Sequence, residues 1–227
     1  MKQSDYAKTV ELVKTYIAEE ISWYGNELVH EGTLSQGWIP HPVTPKPIDD
    51  SEEGLLMKKT DKTLEAFRKE ICDCTRCPLG KTRINFVFGV GNPRARLMFV
   101  GEGPGFDEDH KGEPFIGRAG QLLNKIIEAM GMLRSDVYIA NIVKCHPMKD
   151  PSDNELRAND RPPTAEEMAC CLPYLERQID IIKPAVICTL GTTASHGLLN
   201  VDTVIGTLRG QIFDYKNCKL MPTYHPA

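Results

Sequence analysis

Short runs of consecutive apolar residues alternate with amphipathic segments through most of the chain. Runs of strand length lie at 97–100, 137–140 and 185–190, and two further short strands are expected near Ile212 and Met221. Strands of this continuous apolar kind, separated by helices, are typical of a parallel sheet that is covered on both faces. The pattern therefore predicts an α/β fold.

The helices between these strands carry recognisable boundary signals. Predicted helices begin at about residue 61 and at residues 121, 164 and 192. Gly131 caps the carboxyl end of the second helix. Thr164 and Glu167 form a capping box at the start of the third, which must end before Pro184.

The first 60 residues differ from the rest of the chain. Apolar residues at helical spacing predict one accessory helix within residues 1–31, and residues 32–60 form a proline-rich linker without apolar periodicity. The α/β domain then occupies residues 61–227. The N-terminal helix is expected to be a tethered element whose role the sequence does not reveal.

Composition narrows the class of protein. The 227 residues are 41% hydrophobic and 26% charged, with a net charge of −4, which is typical of a globular protein. No apolar run approaches the length of a membrane helix and no signal peptide is visible, so we expect a cytoplasmic protein without a membrane partner. A protein that grips a long stretch of DNA usually has a basic surface, so a nucleic-acid partner here requires a small footprint.

A glycine-rich and acidic segment follows the first buried strand. Residues 101–109 read GEGPGFDED, so three glycines are followed by a cluster of carboxylates. Ligands of parallel sheets bind at the carboxyl ends of strands, where this segment lies. It lacks both phosphate-loop patterns, and its carboxylates would repel a phosphate. The segment suits a neutral ring and a developing cation, although a solvated acidic turn is the simpler alternative.

Three further residues follow strands or precede a helix, where a ligand could reach them. Phe115 stands among small residues before a helix and could offer its ring for stacking. Asn141 closes the second strand, and its amide could pair with a base edge such as the O4 and N3–H of uracil. His225 lies between restricted residues after the last strand. Taken singly, Phe115 is more often a core ring and His225 more often a structural histidine, and a loop cap is an equally good interpretation of Asn141.

The cysteines suggest a metal centre. Cys74 and Cys77 form a CxxC motif followed by proline, and two thiolates at this spacing can share one ion or cluster. Further cysteines at loop ends could complete four ligands: Cys145, Cys170 and Cys171. Zinc and an iron–sulfur cluster both accept four thiolates, and the spacing leaves both open.

In this order, the segments resemble the iron–sulfur, thermostable-type uracil-DNA glycosylases called family 4. The resemblance covers residues 72–227 and rests on CTRCPLGKTR, GVGN, LMFVGEGPGFDED, GEPFIGRAGQLL, VYIANIVKCHP, PPTAEEM and PTYHPA. It implies a three-layer α/β/α sandwich around a central, mainly parallel, four-stranded sheet. It also implies a monomeric DNA-repair enzyme that hydrolyses the N-glycosidic bond of uracil in single- or double-stranded DNA and leaves an abasic site.

The resemblance also implies roles for individual residues. The ligands of a structural [4Fe–4S] cluster would be Cys74, Cys77, Cys145 and Cys171, with zinc as the alternative and Cys170 as a spare thiol. The catalytic residues would be Glu102, Glu108 and His225, and the uracil-binding residues Gly103, Phe115 and Asn141. A DNA-binding protein with little turnover, a covalent uracil-trapping relative, and a redox or zinc protein are the competing hypotheses.

Two departures from the family pattern qualify these expectations. The stretch between Cys145 and Cys171 is longer than usual, with extra or altered residues at 146–157. A related group that traps uracil covalently has an insertion here with a basic run ending in histidine, and this chain has no such run, so covalent capture is not expected. The family continues beyond its HPA or HPS segment into a loop that wedges the duplex. This sequence stops at Ala227, so either it is truncated or that loop has been lost, and without the loop we expect poor activity on duplex DNA.

Overall fold

A computed structural model of the chain describes residues 63–227. The predicted accessory helix at 1–31 and the linker at 32–60 lie outside the described residues. The division of the chain into those two segments and a domain at 61–227 therefore stays a prediction.

A six-stranded sheet forms the centre of the fold, in the order β1-β3-β2-β4-β6-β5. Its strands are β1 (Val90–Gly91), β2 (Leu97–Gly101), β3 (Tyr138–Asn141), β4 (Val186–Leu190), β5 (Phe213–Tyr215) and β6 (Cys218–Thr223). The four inner strands are parallel, and the short edge strands β1 and β5 pair antiparallel to them. The four-stranded parallel sheet is therefore present, and two edge strands too short to show a clear sequence pattern widen it to six.

Seven helices within residues 63–227 surround this sheet. They are α1 (63–71), α2 (Leu79–Thr82), α3 (Phe106–Lys111), α4 (Arg118–Ala129), α5 (Ala165–Ile182), α6 (Thr192–Leu199) and α7 (Ile205–Leu208). The capping box of α5 is formed as predicted, because Thr164 Oγ1 accepts from Glu167 N and Glu167 Oε2 accepts from Thr164 N. The short helices α2, α3 and α7 were not predicted. None of the helices in this part of the chain is long and apolar enough to cross a membrane.

Helices cover both faces of the sheet, which confirms the three-layer arrangement. Alternate residues of a strand point to opposite faces. Met98 and Val100 of β2 pack in one cluster with residues of α1, α5 and α6, whereas Leu97 and Phe99 pack in a second cluster with α4. Both clusters are buried, which explains why the parallel strands read as continuous apolar runs.

Candidate active site

The carboxyl ends of the four parallel strands meet at one edge of the sheet. Asn141 is the last residue of β3 and pairs in register with Gly101 at the end of β2. Glu102 follows β2, Thr193 lies just beyond β4, and His225 follows β6. Residues far apart in sequence are therefore delivered to one place by strand direction alone.

A pocket of about 530 Å³ opens at this edge. Five of the predicted catalytic and uracil-binding residues line it: Glu102, Gly103, Glu108, Phe115 and His225. Asn141 is not part of the lining surface but lies directly beneath it, as described next. The structure thus brings all six predicted residues into one region.

The absence of side chains at Gly101 and Gly103 allows this close arrangement. A Cβ on Gly101 would lie 2.5 Å from both Asn141 Oδ1 and Phe115 Cζ, so the amide and the ring meet over this glycine. A Cβ on Gly103 would lie 2.7 Å from Val143 Cγ2. Real Cβ atoms do not approach other atoms so closely, so both positions require glycine unless their neighbours move. Gly101 was missed in the sequence, where Gly103 was chosen instead.

Asn141 is a buried amide with an unused acceptor. Its side chain is 1% exposed, and Oδ1 is the single buried side-chain nitrogen or oxygen within residues 63–227 without a hydrogen-bond partner. Leaving such a group unpaired costs about 1–3 kcal/mol. An unpaired acceptor beside the pocket is expected in a binding site whose ligand donates the missing hydrogen bond.

Phe115 is held in an unusual backbone conformation. Its φ of 53° lies in the left-handed region, which residues other than glycine, asparagine and aspartate rarely adopt. Gly120 packs so tightly beneath it that an added Cβ would overlap the Phe115 carbonyl. The Phe115 ring lies 5.8 Å from the His225 ring, with 36° between their planes. A strained backbone conformation of this kind persists only where the surrounding structure holds it in place. The same surroundings therefore hold the Phe115 ring in position.

The hydrogen bonds of His225 assign its tautomer. Its Nδ1 accepts from the Ala227 N–H at 3.3 Å, so the neutral ring carries its proton on Nε2. Burial lowers the pKa of His225, and the nearby carboxylates of Glu102 and Glu108 oppose this only in part. His225 is therefore a neutral hydrogen-bond donor at neutral pH.

Glu102 and Glu108 both line the pocket but bind different partners. Glu102 Oε2 accepts a hydrogen bond from Thr193 Oγ1, which orients the carboxylate. Glu108 Oε1 accepts from the backbone N–H groups of Ile116 and Gly117, both at 2.9 Å, and its Oε2 accepts from Gly105 N at 3.3 Å. Glu108 thus connects the glycine-rich loop to the turn that carries Phe115.

The other two acids of the GEGPGFDED segment have neighbours of their own, although Asp107 also lines the pocket. Asp107 Oδ1 accepts from Arg157 Nη1 at 3.0 Å. Asp109 is buried and accepts from the backbone N–H groups of Ile84 and Asn85. The segment is therefore not a simple acidic mouth, because it folds into α3 and directs each carboxylate to a different neighbour.

The loop that follows Cys145 forms part of the pocket wall. Its first residue, His146, is buried, and its Nε2 lies 2.7 Å from Asp160 Oδ1 while its Nδ1 lies 3.6 Å from Asp109 Oδ2. Burial alone lowers the pKa of His146, but these two carboxylates outweigh burial and raise it. From this loop Pro147, Arg157, Asp160 and Arg161 line the pocket.

Three of the four predicted metal ligands share one core cluster, in which Cys145 and Cys171 are buried and against which Cys77 packs. Burial raises the pKa of the Cys145 thiol to about 12, and the charges of Cys171 and Cys77 act in the same direction. Burial likewise raises the pKa of Cys171, with contributions from Cys77 and Cys74. Cys74 is joined to this group by Arg83, whose Nη1 donates to both Cys74 O and Cys145 Sγ.

Hydrogen-bond donors point at three of these sulfurs. Arg83 Nη1 lies 3.4 Å from Cys145 Sγ, Lys144 N lies 3.3 Å from Cys171 Sγ, and Tyr174 Oη lies 3.3 Å from Cys74 Sγ. The Cys170 thiol instead faces the carbonyl oxygen of Arg76 at 3.8 Å. Within residues 63–227, no three histidine, cysteine or acidic side chains are gathered closely enough to hold a single metal ion.

Residues 88–227, which contain the sheet and the whole pocket, match the family model described as the uracil DNA glycosylase superfamily. Because this match covers more than half of the chain, the chain belongs to this superfamily.

Three curated relatives narrow the family. The chain is 41% identical over 174 residues to the type-4 uracil-DNA glycosylase of Archaeoglobus fulgidus, which covers 73% of this chain and 82% of that protein. It is 42% identical over 173 residues to the type-4 enzyme of Thermotoga maritima, at 75% of this chain and 85% of the relative. It is 41% identical over 174 residues to that of Sulfurisphaera tokodaii, at 73% and 74%. The chain belongs to the type-4 uracil-DNA glycosylases, as the sequence motifs predicted.

Proposed function

We propose that this protein removes uracil from DNA by hydrolysing the N-glycosidic bond, which releases free uracil and leaves an abasic site for base excision repair. One observation carries this proposal. A buried amide with an unpaired acceptor, an aromatic ring, a neutral histidine and a carboxylate converge on one pocket of about 530 Å³. Such a pocket can take one extruded base, which is consistent with a net charge of −4 and a small DNA footprint.

The base is recognised by Asn141 and Phe115. Uracil carries an N3–H donor, and Asn141 Oδ1 is the acceptor that lacks one. Cytosine has an acceptor at N3, so it would leave Oδ1 unpaired and lose about 1–3 kcal/mol of binding. Stacking on the Phe115 ring returns about 1–3 kcal/mol of the few kcal/mol that base flipping costs.

Bond cleavage separates charge, and the pocket has a group for each sign. As the bond to uracil breaks, positive charge develops on the sugar and negative charge on the departing ring. The Glu102 carboxylate, oriented by Thr193, stabilises the cationic sugar directly or by orienting the attacking water. The Nε2–H of His225 donates to uracil O2 as negative charge builds there.

Glu108 contributes by positioning rather than by contact with the sugar. Its carboxylate oxygens accept three backbone N–H groups, at Gly105, Ile116 and Gly117. These bonds hold the glycine-rich loop against the Phe115 turn. We therefore assign Glu108 to the construction of the pocket, a narrower role than the catalytic one predicted from the sequence.

A single-turnover glycosylase assay tests the function. The substrates are labelled oligonucleotides with uracil opposite guanine, opposite adenine and unpaired, and the variants are Glu102→Gln and the exposed control Glu128→Gln on α4. We expect at least a hundredfold slower uracil release for Glu102→Gln and no change for Glu128→Gln. Full activity of Glu102→Gln would overturn the assigned mechanism. If the unaltered protein binds uracil-DNA tightly but releases no free uracil, the protein is a uracil-DNA binding protein and not an enzyme.

We further propose that Cys74, Cys77, Cys145 and Cys171 hold a [4Fe–4S] cluster. Cys145 and Cys171 are buried in one cluster with Cys77 packed against it, and Arg83 Nη1 joins Cys74 O to Cys145 Sγ. Donors from Arg83, Lys144 and Tyr174 point at three of the sulfurs, as expected around thiolates that ligate iron.

A single zinc ion is the alternative, because one zinc ion also binds four thiolates. When bound, a cluster would supply a structural crosslink between the CxxC segment, the end of β3 and α5.

Matched cysteine variants test this cofactor proposal. We expect Cys171→Ser to lose iron and visible absorbance, because Cys171 is buried in the same cluster as Cys145. We expect Cys170→Ser to retain both, because the Cys170 thiol faces the carbonyl oxygen of Arg76. Stoichiometric zinc in the purified protein, with no iron, would contradict the cluster. A monomeric state and a cytoplasmic location stay predictions.

A further inference from the structure

We propose that Arg157, carried by the loop that follows Cys145, binds a backbone phosphate of the DNA strand at the mouth of the uracil pocket. This inference rests on the proposed function and adds to it the residue that compensates the acidic pocket wall.

The pocket needs a local positive charge. Four carboxylates line it, those of Glu102, Asp107, Glu108 and Asp160. The phosphates on either side of a flipped nucleotide must approach this rim, and the negative charge of its carboxylates would repel them. The lining contains three cationic side chains: Arg118, Arg157 and Arg161.

Arg161 is already committed to another contact. Its guanidinium binds Glu167 through two hydrogen bonds of 2.8 Å, and its Nε donates to Met148 O. A bidentate pair of this kind, in which the Glu167 carboxylate is mostly buried, is among the strong hydrogen-bonded contacts in proteins. Arg161 therefore braces the loop against the start of α5 and is not available to DNA.

Arg157 is oriented but remains available. Its side chain is 74% exposed, and one nitrogen, Nη1, donates to Asp107 at 3.0 Å. Its guanidinium lies 4.6 Å from the centre of the Phe106 ring. An exposed ion pair of this kind contributes about 0–1 kcal/mol, so a phosphate can displace Asp107 or share the remaining N–H donors at little cost. Arginine suits this role because its planar fork matches phosphate oxygens.

The loop that carries Arg157 is internally braced. Asn159 Nδ2 donates to the carbonyl oxygens of Asp150 and Asp153, both at 2.7 Å, and Asn159 Oδ1 accepts from Asp150 N. Backbone hydrogen bonds from Lys149 N to Asn159 O and from Arg161 N to Pro147 O close its base. Arg157 is thus presented by a preorganised loop, which lowers the entropy cost of binding a phosphate.

The chain offers a closely matched control. Arg177 also binds one carboxylate, Glu70 at 2.9 Å, also lies over an aromatic ring, Phe67 at 4.3 Å, and is 51% exposed. It does not line the pocket. Arg157→Gln and Arg177→Gln therefore remove the same charge and the same kinds of contact at two different places.

The experiment measures binding of single-stranded uracil-DNA over a series of salt concentrations, with each variant combined with Glu102→Gln to prevent turnover. We expect Arg157→Gln to weaken binding about tenfold at low salt and to reduce the slope of log affinity against log salt by about 1. Arg157→Lys should retain most of the slope, and Arg177→Gln should match the parent protein. Inhibition by free uracil, which carries no phosphate, should be the same for Arg157→Gln and the parent protein.

Three outcomes would overturn this inference. An unchanged slope of log affinity against log salt for Arg157→Gln would show that no phosphate contact is lost. Equal losses of affinity in Arg157→Gln and Arg177→Gln would show that the effect comes from the change in net charge alone. Weaker inhibition by free uracil would indicate a distorted pocket instead. Absence of uracil release by the unaltered protein would be a failure of the proposed function, which the glycosylase assay detects separately.

Discussion

Replacing Asn141 by alanine separates what this side chain costs the fold from what it contributes to base binding. Its unpaired Oδ1 imposes about 1–3 kcal/mol on the folded state. Truncation removes that penalty but leaves a small cavity, which costs about 1 kcal/mol. The free energy of unfolding of Asn141→Ala is therefore expected to stay the same or to rise by up to about 2 kcal/mol.

Gln178 provides the contrast, because it is a buried amide whose hydrogen bonds are satisfied. Its Oε1 accepts from Lys144 Nζ at 2.6 Å, and its Nε2 donates to Phe88 O at 2.9 Å and Tyr138 Oη at 3.2 Å. Gln178→Ala leaves a buried ammonium and a carbonyl with fewer partners, so it should lower the free energy of unfolding by about 3 kcal/mol or more. Urea denaturation followed by circular dichroism measures both variants.

The activity of Asn141→Ala should move in the opposite sense to its stability. Loss of the hydrogen bond to uracil N3–H removes about 1–3 kcal/mol of transition-state binding, which corresponds to a decrease in kcat/KM of about 5- to 150-fold. The assay is uracil release from a labelled oligonucleotide. If Asn141→Ala loses as much stability as Gln178→Ala, or releases uracil at the unaltered rate, the view of Oδ1 as an acceptor reserved for the base is wrong.

Two further predictions concern Glu108 and His225. Glu108→Ala removes the acceptor of three backbone N–H groups, so we expect the free energy of unfolding to fall by about 1–3 kcal/mol. Amide exchange should become faster at Gly105, Ile116 and Gly117. Unchanged exchange would contradict the positioning role of Glu108. Burial lowers the pKa of His225 below its ordinary 6.5, so as the pH falls below 6.5 the unfolded chain binds this proton before the folded one does. Stability should therefore decline through this acidic range and decline less in His225→Gln, and parallel pH profiles of the two proteins would show that His225 does not contribute.

The sequence alone determined the family, the order of the main strands and helices, and the edge of the sheet where ligands bind. The spacing of apolar residues, and whether they are consecutive, predicts which segments become strands and helices. These properties are local, because they can be read from a segment such as 97–100 alone. Because the strands are parallel, Glu102, Asn141 and His225 had to reach the same edge. That convergence follows from topology and required no knowledge of packing.

The direction of each side chain was decided only by the tertiary structure. Residues 106–111 form a short helix with no apolar period, and successive residues of a helix point about 100° apart. Asp107, Glu108 and Asp109 therefore bind three different neighbours, although the sequence presents them as one acidic cluster.

The same limit applies to residues that the sequence reading missed. Thr193 orients Glu102 across a separation of 91 residues, and Arg157 meets Asp107 across 50. Contacts of this range depend on how the sheet and loops close around the pocket, which no local pattern encodes.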